Sequence, residues 1–385
     1  MTQNISNNRL DSLDFFRGAT VAGMILVNNP GSWSHIYGPL KHADWHGWTP
    51  TDLIFPFFLF IVGVSIVLAF DKAISKGAKR VELVKKTLIR AGKIFGLGVI
   101  LAAFPFFVFQ PEFGLHPKIP TLRIMGVLQR IAVCYALASL IYLYLSKKIQ
   151  WVLIGGVLLL YWLAMALIPV PGYGAGALDV PEGTLAAYMD QLILGKHIWR
   201  GGLWDPEGIL STLPAVCTTL LGIKAGELLL NANANEEKRT LHLLMMGFVL
   251  ITLGYLWSWI FPINKNIWTS SYTLFTAGQA FCFLAICYWV IDVKGHKQGT
   301  GWGIAYGVNA ITVFFLSGIF GRLQTMVQFT IGDDSYTFKE LLYDVGLRSI
   351  FSNPLNASFA HALVWIAGFY LLARWMQKRN LIIKV

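Results

Sequence analysis

Charge is scarce in this chain. Only 13% of its 385 residues are Asp, Glu, Lys or Arg, about half the share of an ordinary soluble domain. That excludes a disordered chain and an ordinary soluble enzyme. Cysteine is scarcer still: Cys134, Cys217, Cys282 and Cys287 are the four. All lie inside apolar runs and no Cys-x-x-Cys occurs, which excludes a disulfide framework or thiolate cluster and leaves small buried hydrophobes. The first eleven residues, Met1 to Asp11, contain no hydrophobic core. They do not read as a cleaved signal peptide, so the first apolar run is expected to be retained. Internal repeats and low-complexity tracts are also missing.

What the chain has is apolar sequence: 55% of residues are hydrophobic, and the mean hydropathy is +0.57. The fold class is therefore all-α and polytopic, a single transmembrane domain over residues 1–385. Ten apolar stretches are readable, at 15–29, 52–70, 91–110, 122–145, 151–170, 209–230, 241–261, 270–291, 303–320 and 357–376. All but the first, which is short and continues an amphipathic start at Leu13, are close to the roughly 20 residues that a helix needs to cross hydrocarbon. Acid is scarcer than base, 20 residues against 31, for a net charge of +11. In a soluble protein that would suggest nucleic acid, but the basic residues fall in short segments between apolar runs. One alternating set holds nineteen of them, from Arg9 and Arg17 through Lys72–Arg90, Lys147, Lys148, Lys238, Arg239, Lys294 and Lys297 to Arg374–Lys384; the other set holds nine. By the positive-inside rule both termini are cytoplasmic. Segments 30–51, 111–121, 171–208, 262–269 and 321–356 then face outward. The long ones, 30–51, 171–208 and 321–356, are candidates for functional loops.

The densest polar cluster is His35, Lys41, His42, Asp44, Trp45, His46, Trp48 and Asp52. A histidine at the membrane edge can serve as general base or nucleophile near neutral pH, with a carboxylate to fix its tautomer. For His42 this reading stands level with an interfacial His/Trp belt; for His35 and His46 the belt is favoured. His42 and His46 are four apart, but the glutamate of a His-Glu-x-x-His site is absent and no third ligand is evident. No metal is expected. Thr49-Pro50-Thr51-Asp52 resembles a helix-capping box, so Asp52 reads equally as cap or site residue. Asp205-Pro206-Glu207-Gly208 reads the same way before the sixth span. Asn28, at the end of the first span, could donate to an oxyanion or glue helices together. Arg123 and Arg130 are two turns apart if the fourth span is one helix, with Gln129 between them. Arg130 lies deep enough to demand a cavity or a partner. Asn264 and Lys265 form a polar turn before the eighth span, and Asn309 is buried in the ninth.

These residues carry a family resemblance. Arg9-Leu-Asp-Ser-Leu-Asp-Phe-Phe-Arg17-Gly18, Asn28, Lys41-His42-Ala-Asp44-Trp45 and Asp52-Leu-Ile-Phe-Pro56 are similar to the catalytic domain of heparan-α-glucosaminide N-acetyltransferase. So are Arg123-Ile-Met-Gly126-Val-Leu-Gln129-Arg130, Asp205-Pro-Glu207-Gly208, Pro262-Ile-Asn264-Lys265-Asn266-Ile-Trp268 and the ending Lys378–Lys384. The animal enzyme has an extra lumenal region and one further span before this block. The chain therefore resembles the compact bacterial, NagX-like acyltransferases, and a bacterial inner membrane is the expected location. The resemblance implies acetyl transfer from cytosolic acetyl-CoA to the amine of an amino sugar across the membrane. It places the catalytic histidine on His42 and a nearby asparagine on Asn28, with a small insertion between them, and leans towards a homodimer among membrane lipids. The expected site is then His42, Asn28 and Asp52 for catalysis. Arg123, Gln129, Arg130, Asn264, Lys265 and Asn309 are expected for acetyl-CoA, and Asp44, Trp45 and Glu207 for the acceptor. The competing function is an amino-sugar transporter, which ten spans with midplane polar groups would fit but which the lack of an inverted repeat disfavours. Nucleic acid is not expected as a partner.

Overall fold

The computed structural model describes residues 10–108 and 113–383. Arg9, Lys384 and the last two residues of the expected third span lie outside the described residues. Fourteen helices run along the chain among those described: α1 (Asp11–Asn28), α2 (Pro50–Ser75), α3 (Arg80–Ala103), α4 (Val127–Tyr144), α5 (Lys147–Leu167), α6 (Leu185–Leu194), α7 (Thr212–Leu229), α8 (Glu236–Trp257), α9 (Ser270–Cys287), α10 (Gly301–Val308), α11 (Ala310–Leu323), α12 (Phe338–Glu340), α13 (Arg348–Ile350) and α14 (Pro354–Lys378). Two antiparallel hairpins accompany them, β1 (Phe107–Val108) with β2 (Gly114–Leu115), and β3 (Gln328–Ile331) with β4 (Asp334–Thr337). Local chemistry sets many of the helix starts. Ser146, Thr184, Asn235 and Thr269 each accept a hydrogen bond from a backbone N–H of the first turn of α5, α6, α8 and α9. Asn353 does the same for α14, which has Pro354 at its first position.

Among the described residues, α2, α4, α5, α7, α8, α9 (extended by a wider turn to Val293) and α14 are long and apolar enough to cross a membrane. That makes seven, or eight if α10 and α11 count as one span. The ten expected stretches all coincide with helices. The two that fall outside this set are α1, which carries Asp11, Asp14 and Arg17, and α3, which carries Arg80, Glu82, Lys85, Lys86, Arg90 and Lys93. The ninth stretch is broken at Asn309, where the backbone leaves the helical region and α10 and α11 meet at 83°. The fourth helix starts at Val127, because Gly126 is fully extended as its N-cap and Ile119–Thr121 forms a separate 3-10 turn. Arg123 therefore lies ahead of the helix, and it does not share a helical face with Arg130.

The chain forms two compact units. Among the described residues, the first comprises Pro56–Val108 and Phe113–Gly295 with Asp44–Trp48 and Leu10–Ser12; the second comprises Leu13–Ala43, Thr49–Phe55 and His296–Ile383. In the first, α7 is the central helix: 83% of it is buried, against 28% for α5 and α8. α4, α5 and α9 pack on α7, α3 packs on α4, and α8 lies along α9. The outer helices present Val152, Leu160, Met245 and Phe248 to the surroundings, an apolar surface suited to lipid and not to water. In the second unit, α10 and α11 pack on α14. Arg17 of α1 bonds Asp14 and the carbonyl of Gly307.

Helix crossings in both units depend on glycine. Within membranes helices gain by close approach, and small residues permit it. A Cβ on Gly63 of α2 would lie 2.0 Å from the Thr219 carbonyl oxygen of α7, and one on Gly222 would lie 2.0 Å from that of Phe60. In the second unit a Cβ on Gly307 would meet the Asp14 carbonyl oxygen at 2.0 Å. Gly222→Val is therefore expected to cost the detergent-solubilised protein its monodisperse chromatographic peak. Gly155→Val, where α5 faces open space, should keep it. A monodisperse Gly222→Val protein with the wild-type melting temperature would refute the close crossing.

Candidate active site

In the second unit Asp52 sits in the first turn of α2 and is 1% exposed. A carboxylate so enclosed must have its oxygens satisfied. Its Oδ2 accepts from the backbone N–H of Ala43 at 3.0 Å and of Thr49 at 3.0 Å, and from the Thr49 hydroxyl at 3.2 Å. Its Oδ1 lies 2.6 Å from His42 Nδ1. Asp52 reaches back to cap α2 at the Thr49 N–H and also bonds His42. The Nδ1 proton directed at Oδ1 leaves the lone pair on Nε2. The imidazole is half-exposed, so solutes can reach it. The Lys41 carbonyl oxygen, 2.5 Å from Thr49 Oγ1, shares that hydroxyl's one proton with Asp52, and Thr51 Oγ1 donates to the Pro39 carbonyl. These bonds tie the strand of chain carrying His42 to the start of α2.

The other end of that loop is anchored on α14. Ser358 receives the N–H of Ser32 and, at its carbonyl, that of Gly31. His361, fully buried, donates Nδ1–H to the Asn29 carbonyl at 3.1 Å, and its Nε2 has no partner among the described residues. Asn29 turns inward and donates its amide to Ile25. Asn28 is the exposed last residue of α1.

In the first unit the 44–48 segment meets the long 171–208 loop. Trp45 Nε1 donates to the Leu178 carbonyl at 2.8 Å, and its ring packs edge-on against Trp204. His46 lies between Asp179, 3.0 Å from Nε2, and the Asn264 amide, 3.3 Å from Nδ1. Asp44 is exposed. Asn264 is buried; its Oδ1 accepts from the N–H groups of Asn266 and Ile267, which closes the polar turn. Trp268 follows at φ 49, a left-handed conformation that costs a bulky residue of the order of 1–3 kcal/mol. It is held by Nε1 donating to Thr218 and by the Arg130 guanidinium 5.3 Å from its ring centre.

The same unit contains a second polar cluster. Arg123 donates Nε–H to Asp205 Oδ2 at 2.9 Å, and Nη2 to both Asp205 Oδ1 and Glu207 Oε2. Asp205 also accepts from the N–H groups of Trp199 and Glu207. The N-cap position of α7 falls on Ser211, so Asp205 organises the loop and does not cap the helix. Burial works against charge on Glu207, but Arg123, then Arg130 and Lys265, hold its carboxyl below the usual range. Burial likewise works against Arg123, and the two acids more than reverse it. Asp190 of α6 is 1% exposed and accepts from the Ile209 N–H. Burial, with the nearby Asp205 adding to it, pushes its carboxyl up to about 7. Arg130 is fully buried. Its Nη2 donates to the Gly208 carbonyl and to Ser211, while Nε and Nη1 have no partner among the described residues.

Gln129 and Asn309 have evident packing roles. The Gln129 amide fills the space beside Gly98 of α3, where a Cβ would approach it to 2.4 Å. Asn309 donates to the Leu381 carbonyl and accepts from the Ile383 N–H, fastening the C-terminal segment at the bend. Sequence reasoning passed over Asp190, His361 and a Lys224–Gln150–Glu227 group. The signal for His361 and Lys224 was present: each is an ionisable residue inside an apolar run.

The architecture and the histidine–carboxylate pair define a polytopic all-α membrane protein with a solvent-reachable acid–base pair in a loop. Comparison with known proteins gives its kinship. The family of heparan-alpha-glucosaminide N-acetyltransferase catalytic domains matches residues 9–261. The human heparan-alpha-glucosaminide N-acetyltransferase is 31% identical over 362 residues, covering 80% of this chain and 52% of the human protein. The mouse enzyme is 30% identical over 369 residues, covering 81% and 54%. The chain belongs to this family and spans about half the length of the curated relatives it matches.

Two predictions follow from the first unit's acids. Arg123→Met leaves Asp205 and Glu207 buried without their cation, a change that typically costs about 3–5 kcal/mol. A large fall in melting temperature in detergent is expected, partly recovered by adding Glu207→Gln; an unchanged melting temperature would sink the cluster's structural role. The raised pKa of Asp190 means that the folded state holds its proton more tightly than the unfolded state. Stability from this group is therefore lost as pH rises from about 4 towards 7. Asp190→Asn should flatten that part of the melting-temperature profile by roughly 2–5 °C. A variant profile parallel to wild type would contradict it.

Proposed function

We propose that this chain is a transmembrane N-acetyltransferase. It moves acetyl from acetyl-CoA on the cytoplasmic side to the amine of an amino sugar on the outer side. The printed names of the curated relatives support the reaction class and the glucosaminide acceptor. The observation that carries the mechanism is the His42–Asp52 pair.

Asp52 is positioned before any substrate arrives, because two backbone N–H groups and the Thr49 hydroxyl fix one of its oxygens. The other oxygen takes the Nδ1 proton, fixes the tautomer and steadies the imidazolium that forms when Nε2 accepts a proton. Nε2 can take the proton that the acceptor amine loses as its nitrogen bonds the acetyl carbon. It can instead take the acetyl group itself and pass it on. Both routes need the same nitrogen in the same tautomer, and the thiolate released from the thioester receives a proton in either. Asn28, in the same unit, is assigned to the developing oxyanion. Asp44, Trp45 and Glu207 are assigned to the acceptor.

For the donor, the residue that fits best is Arg130, whose buried Nε and Nη1 await acceptor oxygens. A carbonyl or phosphate oxygen would satisfy them. Arg123, Gln129, Asn264, Lys265 and Asn309 complete the set assigned to the donor.

The test is acetyl transfer from labelled acetyl-CoA to glucosamine by protein reconstituted in liposomes. His42→Ala should lose transfer by at least about 10³-fold, and Asp52→Asn by roughly 10²–10⁴-fold in kcat. Acceptor binding should stay near wild type in both. Sugar uptake with no acetylation by the wild type would replace this reading with the transporter.

A further inference from the structure

The segment between α11 and α14 contains none of the residues assigned above, yet it is not plain loop. In the second unit β3 and β4 form a two-stranded ribbon that pairs Gln328 with Thr337, Phe329 with Tyr336, Thr330 with Ser335 and Ile331 with Asp334. Gly332, at φ 65, opens the two-residue turn between them. The Phe338 N–H donates to the Val327 carbonyl and carries the pairing one step further.

Side chains alternate across the faces of a strand, so this register sorts them. Val327, Phe329, Ile331, Tyr336 and Phe338 fall on one face, and the rings of Phe329 and Phe338 meet with centres 6.4 Å apart. Gln328, Thr330, Ser335 and Thr337 fall on the other face. Val327, Phe329, Ile331 and Phe338 are all exposed, Ile331 by 58%. A two-stranded hairpin alone is marginally stable in water, and an apolar face left in water makes it less so.

Lipid is the cover that the surroundings favour. α14 is long and apolar enough to cross a membrane, and α11 is when joined to α10. Four residues, 324–327, separate α11 from β3. Exposed apolar side chains run along this stretch from Phe320 of α11 through Met326 and Val327 to the ribbon, so the lipid-facing surface continues into it. A second copy of the chain fits less well. A stable protein interface takes about 20–30 residues a side, and this face offers five side chains. Partition into a lipid surface has no such minimum, because it scales with whatever apolar area is buried.

We propose that the ribbon lies flat in the membrane–water interface, with its Val327–Phe338 face on lipid and its Gln328–Thr337 face in water. Its depth follows from its edges. No third strand pairs them among the described residues, and interfacial water and headgroups can satisfy the backbone groups there where hydrocarbon cannot. Asp333 and Asp334, exposed at the turn, fit the same depth. The placement stands whether or not the chain transfers acetyl.

The test attaches one bimane label to the full chain in liposomes. Val327→Cys and Ile331→Cys report on one face, Thr330→Cys and Ser335→Cys on the other. The unsubstituted chain, whose four cysteines are buried or half-buried, supplies the background. All four positions are exposed, so each variant should keep the wild-type melting temperature. Nitroxide-bearing lipid should quench the first pair at least about twofold more than the second, and iodide in the water should show the reverse order. A lipid-quenching ratio near one would overturn the proposal. Labels at Val327 and Ile331 shielded from both quenchers, with disulfide-linked dimers formed by Ile331→Cys, would overturn it in favour of a second copy on that face.

Discussion

A carboxylate enclosed at the start of α2 organises the part of this protein where chemistry is expected. Asp52 cannot be ionised at 1% exposure unless several donors surround it. It recruits two backbone N–H groups, a hydroxyl and an imidazole. Recruiting Ala43 N–H bends the preceding chain back over the helix start, and that bend is what delivers His42. The cap, the loop path and the histidine tautomer are therefore one arrangement. Moving the acid by one helical position would lose all three. Placing the pair on the first turn of a 26-residue helix gives a loop residue the rigidity of a helix terminus.

The long 171–208 loop solves the opposite problem. It buries Asp190, Asp205 and Glu207 within a short stretch, where like charges repel in a low dielectric. One guanidinium, that of Arg123, neutralises two of them with its planar fork. The third receives a backbone N–H and keeps its proton to near neutral pH, so the three acids carry unequal charge. Such an arrangement explains why Arg123 stands outside the helix: on α4 its guanidinium would point along the helix wall, not into the Asp205–Glu207 turn. The loop is thereby a folded element with α6 inside it, not a flexible lid.

Much of this was legible in the sequence. All ten apolar stretches are helices, since a lipid-facing or helix-facing segment needs little more than length and hydropathy to declare itself. His42 and Asp52 stood out because they fall in the densest polar cluster of the chain, with Asp52 inside a cap motif, and because a family resemblance falls on them. What the sequence hid was backbone geometry. The extended conformation at Gly126 and the break at Asn309 each depend on tertiary partners: the Arg123 cluster for one, Leu381 and Ile383 for the other. Hydropathy reads straight through both. Asp190 was visible only as one acid among several, because nothing local reveals that the chain will fold over it.

The membrane interior supplies a criterion that separates structural from functional polar residues. There, every donor or acceptor that lacks a partner is costly, so a purely structural residue should use its full hydrogen-bonding capacity. Asn309 meets that standard: its amide donates to one backbone group and accepts from another. Asn264 uses both ends of its amide likewise. Arg130 and Glu227 do not meet it, for each keeps buried atoms with no partner among the described residues. Both lie in the same unit, one on α4 and one on the central α7, and both are the wrong residue types for packing alone. An arginine that needed only to fill space could be a methionine at lower cost. Unused valence on a buried charge is most simply explained by a ligand that supplies the missing half of the bond. On α4 and α7, these two are the charged residues with buried atoms whose chemistry the folded chain leaves open.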